Sequence, residues 1–454
     1  YDYVSIQGES QESVILDAMQ TSRVMTFENS VGNTISNLTI TGGRAEIREG
    51  GTFPDYYGGG IFLWRSSPLI DHVTVTGCSA DANGGGIHMS YSTPIISNSI
   101  ISNNSSNPST LSDGGGIRSD YAVPTLTNVL ITENTANGGP GISLVASHSI
   151  NGELIPQQLY KHYDWDVPDY PVVLTDVRII NNNGVGNHGG AGLEIINHCL
   201  VEMIGGEISY NNSQFGYGGI FHSNASVRSS YLGLTGVSIH HNGLNGQGLW
   251  YHGDGITLKD YPSQGLAGNI DAVFNNLTIA DNAGSGLRMK GTHLYNDINQ
   301  PIIRNSIIFS NEDGQINTAE YGTNPDVQYS DIEGGYDGEG NMNSDPQFEN
   351  SNNDNYNLQS TSSCIDAGTA DLDGDGIDDI LDYIGAAPDM GAFEFENLSL
   401  LGDMNSDGIL NVQDVLTLAD YALQDYYDSN GDMNSDNQID ILDILMLVHY
   451  ILNR

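Results

Sequence analysis

One feature constrains this chain more than any other: a two-part phrase that recurs along most of its length. A glycine cluster runs into an aliphatic residue, as in GGGIFLW (glycines ending at Gly60), GGGIHMS (Gly86), GGGIRSD (Gly116), GPGISLV (Gly141), GAGLEII (Gly192), YGGIFHS (Gly219) and GSGLRMK (Gly286). Some fifteen to twenty residues later in most copies comes Ile-x-x-Asn, ending at Asn104, Asn134, Asn182, Asn211, Asn242, Asn282 and Asn311. Most intervals are 25 to 31 residues. A fixed period of that size means stacked structural repeats, each touching its neighbours, and not a globule.

Within each repeat the residues after the glycines alternate. The second residue past the leading aliphatic gives Leu63, Met89, Ser119, Leu144, Ile195, His222 and Met289, an inward row with the period of a strand. His222 therefore reads as a core histidine with its hydrogen bonds satisfied. A second strand follows a proline turn in SSPLIDHVTVTG, STPIISNSIISNN, AVPTLTNVLITEN and QPIIRNSIIFSN. β-Branched residues dominate these stretches and Gly and Asn dominate the turns, while no 3.6-residue period appears before residue 400. The reading is an all-β, right-handed parallel β-helix of about ten coils over residues 1–311. An irregular cap region follows at 312–399, and a small all-α calcium-binding domain at 400–454. Stacked Asn residues form an internal ladder, each amide bonding the turn backbone of the next coil. Cys78 stands where later coils carry that Asn and reads as a buried structural thiol. With Cys199 and Cys364 it forms neither a disulfide framework nor a metal-ligand spacing.

The repeat pair resembles the glycine-glycine-aliphatic and aromatic-x-x-Asn repeats of polymorphic outer-membrane adhesins, with Ile in place of the aromatic. It is similar more broadly to secreted bacterial right-handed β-helix proteins. The same rod carries pectate lyases, hydrolases, tailspikes and adhesins, so the resemblance implies a fold and leaves the activity open.

The chain has 57 acidic and 13 basic residues for a formal charge of −44. Nucleic acid and anionic membrane surfaces need Lys and Arg, so both are excluded as partners. No apolar run reaches the roughly 18 residues of a membrane span. The start at Tyr1 suits a processed mature protein or an excised fragment. It enters strand-like sequence with no capping helix, which raises head-to-tail stacking as an expectation.

Outward positions on the glycine-led strand form two columns. One is Phe62, His88, Arg118, Ser143, Glu194, Phe221 and Arg288; the other is Trp64, Ser90, Asp120, Val145, Ile196, Ser223 and Lys290. Between Gly219 and Gly286 the register is open: either Trp250 and His252 or Thr257 and Lys259 reach the face. Aromatics alternating with charges suit sugar rings, and equally a solvated face with scattered apolar residues. All three Lys and nine of twelve His lie between residues 148 and 293. The largest insertion is there too, with Tyr160 and Trp165 at its centre, either a binding mouth or a loop packing its own aromatics. An enzyme acting on acidic polysaccharide needs a basic residue or paired carboxylates. The candidates are Lys259, Arg288, Lys290, Asp254, Asp260 and Glu194.

Three acidic loops carry calcium-ligand spacing. In DLDGDGIDDILD the ligands are Asp371, Asp373, Asp375, Asp379 and Asp382, with the carbonyl of Ile377. In the last 55 residues the pattern is duplicated at an offset of 29. One copy has Asp403, Asn405, Asp407, Ile409, Asn411 and Asp414; the other has Asp432, Asn434, Asp436, Gln438, Asp440 and Asp443. Each copy runs into an amphipathic helix, with Val415, Leu418 and Leu423 in the first and Ile444, Leu447, Val448 and Ile451 in the second. This pair resembles a type I dockerin. The resemblance implies two calcium ions, with a third at 371–382, and a cohesin-like partner met through a helix face. Asn437 stands at the glycine position of the second loop, where Asn tolerates the left-handed conformation. The partner-contact positions hold Val412-Gln413 and Ile441-Leu442, more apolar than usual, which suits a neighbouring copy of the chain as well. The expected protein is secreted, extracellular or at the cell surface, and acts by binding, adhesion or assembly. The alternative is a dockerin-bearing polysaccharide lyase or glycoside hydrolase.

Overall fold

The computed structural model describes residues 2–47, 55–107, 112–145, 149–150, 153–154, 171–185, 190, 192–213, 217–224, 229–243, 253–260, 269–290, 300–318, 324–395, 401–405, 410–424, 426–434 and 436–452. The chain divides into two compact units, Tyr1–Glu394 and Phe395–Arg454.

The larger unit is a solenoid of parallel strands. Each coil gives one short strand after its glycines, and these build a ten-stranded sheet running from Met25–Glu28 through Ile61–Trp64 and onward to Ile316–Asn317. The second stretch of each coil builds an 18-stranded sheet. It is bent along a line of left-handed residues that includes Asn37, His72, Asn98, Asn128, Asn276 and Asn305, a conformation Asn tolerates better than most side chains. A third, six-stranded sheet of two-residue strands follows the Asn corner. Alternation sends Ile, Leu, Val and Met into one continuous apolar core inside the coil. The row at Leu63, Met89, Leu144, Ile195, His222 and Met289 is buried there as expected.

The two halves of the repeat turn out to be one contact. The Oδ1 of Asn134 accepts from the backbone N–H of Asn104 at 3.0 Å and from its Nδ2 at 3.1 Å, while that Nδ2 also donates to Val75 O at 2.9 Å. The same pattern links Asn134 to Asn182, then Asn211, Asn242, Asn282 and Asn311. A Cβ on Gly86 would lie 2.6 Å from Gly116 O and 2.9 Å from Asn104 Nδ2. The last glycine of each cluster is therefore the space in which the Asn ladder runs. At Gly60 the neighbour is Cys78 Sγ, so the thiol fills the Asn place in that coil. All three cysteines are buried and unbridged.

The coiling continues past Asn311. Ile302–Arg304 pairs in parallel with Asp326–Gln328, and Ile307–Ile308 with Asp331–Ile332, so the rod ends one coil later than the repeat does. The stretch expected as a cap lies along the side of the last coils. Tyr356 is buried with its hydroxyl donating to Asp281 Oδ2 at 2.8 Å, and Asn305 Nδ2 donates to Thr369 O at 2.8 Å.

Among the described residues the smaller unit holds two helices, α1 (Val412–Gln424) and α2 (Ile441–Leu452). Leu410, Leu418 and Leu447 form its core, with Val415, Ile444 and Ile451 packed against them. Leu423, expected on the buried stripe, is 86 % exposed at the helix end. Among the described residues no helix is long and apolar enough to cross a membrane.

Candidate functional site

The first outward column of the glycine-led sheet is not a surface. Phe62, His88, Arg118, Ser143, Glu194 and Phe221 are all buried. The cause lies in the glycines that open each cluster. Gly84 and Gly114 take positive φ and curl back over the strand, so a Cβ there would meet His88 Cβ at 2.6 Å and Arg118 Cβ at 2.7 Å. The turns roof the column and convert it into a polar layer. Arg118 donates to Asp113 at 3.0 Å, Asp120 at 2.8 Å and Ser143 Oγ at 2.9 Å, and Ser143 Oγ donates to Glu194 Oε2 at 2.6 Å. Burial, aided by the nearby Asp113 charge, pushes the Glu194 carboxyl up to about 8. Burial likewise lowers His88 to about 4. The Phe62 ring stacks on His88 at 5.5 Å, with the Arg23 guanidinium 4.7 Å from its centroid, and Phe221 stacks on Tyr217 at 4.2 Å.

The second outward column is partly open. Trp64 meets Tyr91 edge-on at 5.0 Å, and Tyr91 stacks on Tyr121 at 5.4 Å, giving three half-buried rings along adjacent coils. Tyr91 and Tyr121 escaped the sequence reading although each is the first residue after its strand. Further along, Ser223, Lys259 and Lys290 share one register, which puts Lys259 in this column and leaves Thr257, fully buried, in the roofed one. Trp250 and His252 lie outside the described residues, as do Tyr160 and Trp165.

The proposed catalytic set does not converge as free groups. Asp254 is fully buried and accepts from Arg288 Nε at 2.7 Å, Thr257 Oγ1 at 2.8 Å and Ser285 N at 2.9 Å. Glu194 is held by Ser143 beneath its roof. Lys259 Nζ donates to Tyr217 Oη at 3.3 Å. Asp260 extends the same strand, paired with Asn224 in the backbone register. His222 faces the core as expected, but neither of its ring nitrogens has a hydrogen-bond partner among the described residues. Burial lowers it to about 3.

The acidic loops fold around their own carboxylates. Asp371 accepts from the backbone N–H groups of Gly374 (2.7 Å), Asp375 (3.2 Å) and Gly376 (2.9 Å), and its carboxylate gathers with those of Asp373 and Asp375 within 4.8 Å. Asp379 turns to Leu372 N at 2.8 Å. Ile377 and Asp382 are exposed. In the smaller unit Asp414 accepts from Met404 N (3.0 Å) and Asn411 N (2.8 Å). Asp443 does the same with Asn434 N (3.2 Å) and Asp440 N (2.9 Å). Asp432 accepts from Asp436 N and Asn437 N, and Asn437 has φ +63°, the left-handed turn expected of it. Asp436 Oδ1 receives Gln438 N at 2.9 Å. Asp403 is buried beside Asn405, while Asp407 and Ile409 lie outside the described residues. Asp403, Asp414, Asp432 and Asp443 are thus four buried carboxylates in a unit whose basic residues are His449 and Arg454. Backbone N–H groups meet part of the cost of burying these carboxylates, and an oxygen-liganded dication is a further compensation that this donor set fits.

A family model described as a right handed beta helix region matches residues 12–154. The scaffold is a right-handed parallel β-helix. Among solved structures, the crystal structure of pectate lyase Pel9A is similar over 87 % of this chain and 86 % of its own, at 13 % identity and a TM-score of 0.36. No curated protein matches the chain significantly.

Proposed function

We propose that this is an extracellular, calcium-stabilised β-helix that works by binding, and that it attaches to a cohesin-like protein through its dockerin-like C-terminal unit. The observation that carries this reading is the outer face of α2. Leu442, Leu445, Met446 and Tyr450 are 53 %, 57 %, 44 % and 50 % exposed, on the helix that follows the second acidic loop. Apolar side chains held outward at helical spacing suit a protein partner. Calcium would be held by Asp403, Asn405, Asn411 and Asp414 in one loop and by Asp432, Asn434, Asp436, Asp440 and Asp443 in the other. Its role is structural, because it would offset the mutual repulsion of the carboxylates that each loop gathers. On the rod, the Trp64, Tyr91 and Tyr121 rings support stacking against sugar or partner side chains.

The test is binding of the full chain to a panel of cohesin domains with calcium and with chelator. Calcium-dependent binding that Leu445→Asp abolishes supports the reading. Absence of binding to every cohesin, with the chain monomeric in calcium, sinks it; calcium-dependent self-association instead moves the docking partner to a second copy.

A lyase acting on acidic polysaccharide is favoured by one observation, the Lys259–Lys290 register pair in a chain of charge −44. Incubation with pectate, alginate and ulvan, read by the appearance of unsaturated products, decides it.

A further inference from the structure

The two variable positions of one Ile-x-x-Asn phrase hold a pair of histidines, His240 and His241, between Ile239 and Asn242. The Ile and Asn face the core, so the pair sits on the outside of the corner, with His240 paired to Ser209 on one side and to Ala280 on the other. Ala280 leaves the imidazole room. A hairpin of the flanking segment, Phe348–Asn350 with Asn355–Leu358, brings Asp354 and Tyr356 against them.

Three atoms there close a triangle. His240 Nδ1 is 3.1 Å from His241 Nδ1, His241 Nδ1 is 3.3 Å from Asp354 Oδ1, and Asp354 Oδ1 is 3.6 Å from His240 Nδ1. Ligands about 2.05 Å from a tetrahedral zinc are separated by about 3.3 Å, so these edges match one face of that tetrahedron. A second observation concerns the far side of the ring. His240 Nε2 lies 3.3 Å from Glu207 Oε1, and Glu207 is itself held by Arg178 at 2.9 Å and by Ser209 Oγ at 2.5 Å. A carboxylate taking the outer N–H is how metal-bound imidazoles are oriented, and it turns the Nδ1 lone pair inward. Asp354 Oδ1 also accepts from Tyr210 Oη at 2.7 Å, which aims its carboxylate. His240 is buried and His241 half-buried, whereas Asp354 is exposed, so the triangle opens to solvent on one side.

We propose that His240, His241 and Asp354 bind one zinc-type transition-metal dication, with Glu207 as the positioning carboxylate and water completing the coordination. Two imidazole nitrogens select such an ion over calcium, whose ligands are oxygens. Tyr210, His240–His241 and Asp281 belong to three successive coils, and Asp281 accepts from Tyr356. The ion therefore staples the 348–358 hairpin to the rod.

The test uses the full chain, stripped with chelator and held in millimolar calcium so that the oxygen sites are filled. Cobalt(II) is the probe, and zinc displaces it. The expected result is one cobalt per chain with the visible bands of tetrahedral coordination, bleached by stoichiometric zinc. Asp354→Asn and His241→Ala lose that spectrum and weaken zinc binding at least 100-fold, while Glu207→Gln weakens it about 10- to 100-fold. Asp354 is exposed, so its variant folds even if the histidine variant does not. Zinc should also slow proteolysis within 348–358. A chain that takes up no cobalt overturns the proposal and leaves the triangle as a hydrogen-bonded pair sharing a proton. Binding that survives both Asp354→Asn and His241→Ala places the ion elsewhere and overturns it equally.

Discussion

Replacing His222 with leucine should stabilise the rod, and more so in acid. His222 is fully buried in the inward row, with Ile195 and Leu258 as its register neighbours. A neutral imidazole has one donor and one acceptor, and neither is matched among the described residues. Each of the two buried unmatched groups costs about 1–3 kcal/mol, and an imperfect fit of the new side chain takes back about 1 kcal/mol, so a net gain of roughly 1–5 kcal/mol is expected at neutral pH. Burial lowers His222 to about 3, against an ordinary value near 6.5. Below pH 6.5 the unfolded chain takes up a proton that the folded chain refuses. Stability from this residue is therefore intact above that pH and falls as the pH drops towards 3. At pH 5 the loss is about 2 kcal/mol, and the leucine variant lacks it. Hydrogen exchange of the amides around Ile195, His222 and Leu258, together with calorimetry at pH 7.5 and 5, measures both effects. Coils melt locally in a solenoid, so the exchange data are the sharper readout. A variant no more stable than the parent, with the same acid slope, would show that the imidazole has partners and would refute the reasoning.

Further outcomes follow from the same contacts. Gly116→Ala puts a methyl 2.7 Å from Gly141 O and 3.0 Å from Asn134 Nδ2, and should lower stability by about 2 kcal/mol or more, visible as an early thermal transition. Asn211→Ala deletes an acceptor used by both Asn182 N and Asn182 Nδ2, and should cost about 3 kcal/mol, with faster exchange in the flanking coils and little effect at Ile40. Glu194→Gln acts in the opposite pH sense to the His222 change. The folded carboxyl stays protonated to about 8 while the unfolded one ionises near 4.5, so the parent weakens as pH rises between those values. The amide variant should outlast it at pH 8 and match it at pH 4.5 in thermal melts. Chelation of calcium should erase the helical circular dichroism of α1 and α2 and leave the β-signal of the rod, with Asp443→Asn mimicking half of the effect.

The rod was legible because its two signals, glycine and asparagine, repeat at fixed spacing. Their common cause was not: nothing in a sequence says that the missing Cβ of Gly86 and the amide of Asn104 occupy adjoining space. Alternation also told which side of a strand each residue leaves from, but not what lies above it. Arg118 and Glu194 point outward and are nonetheless buried, because the opening glycines of each cluster fold over them. The open register near Gly255 had a signal that went unused. Gly255 bears the same relation to Asn282 as Gly86 does to Asn104, which fixes the register, with Lys259 in the open column and Thr257 in the roofed one. The His240–His241–Asp354 triangle had no such signal, since 113 residues separate its last two members.

This division has a physical logic. The Gly and Asn positions admit almost no other side chain, since each is fixed by the backbone of the next coil. Freedom is left to the two residues between Ile and Asn, to the residue after each glycine-led strand, and to the loops. Across the coils the first of those sites holds Ser209-Tyr210, His240-His241 and Ala280-Asp281 in succession, side chains that differ from coil to coil. Yet all three pairs meet one hairpin through Tyr210 to Asp354, His241 to Asp354 and Asp281 to Tyr356. Variable positions that agree on a single distant segment, while the invariant ones beside them serve only the stack, are where this scaffold carries something other than its own stability.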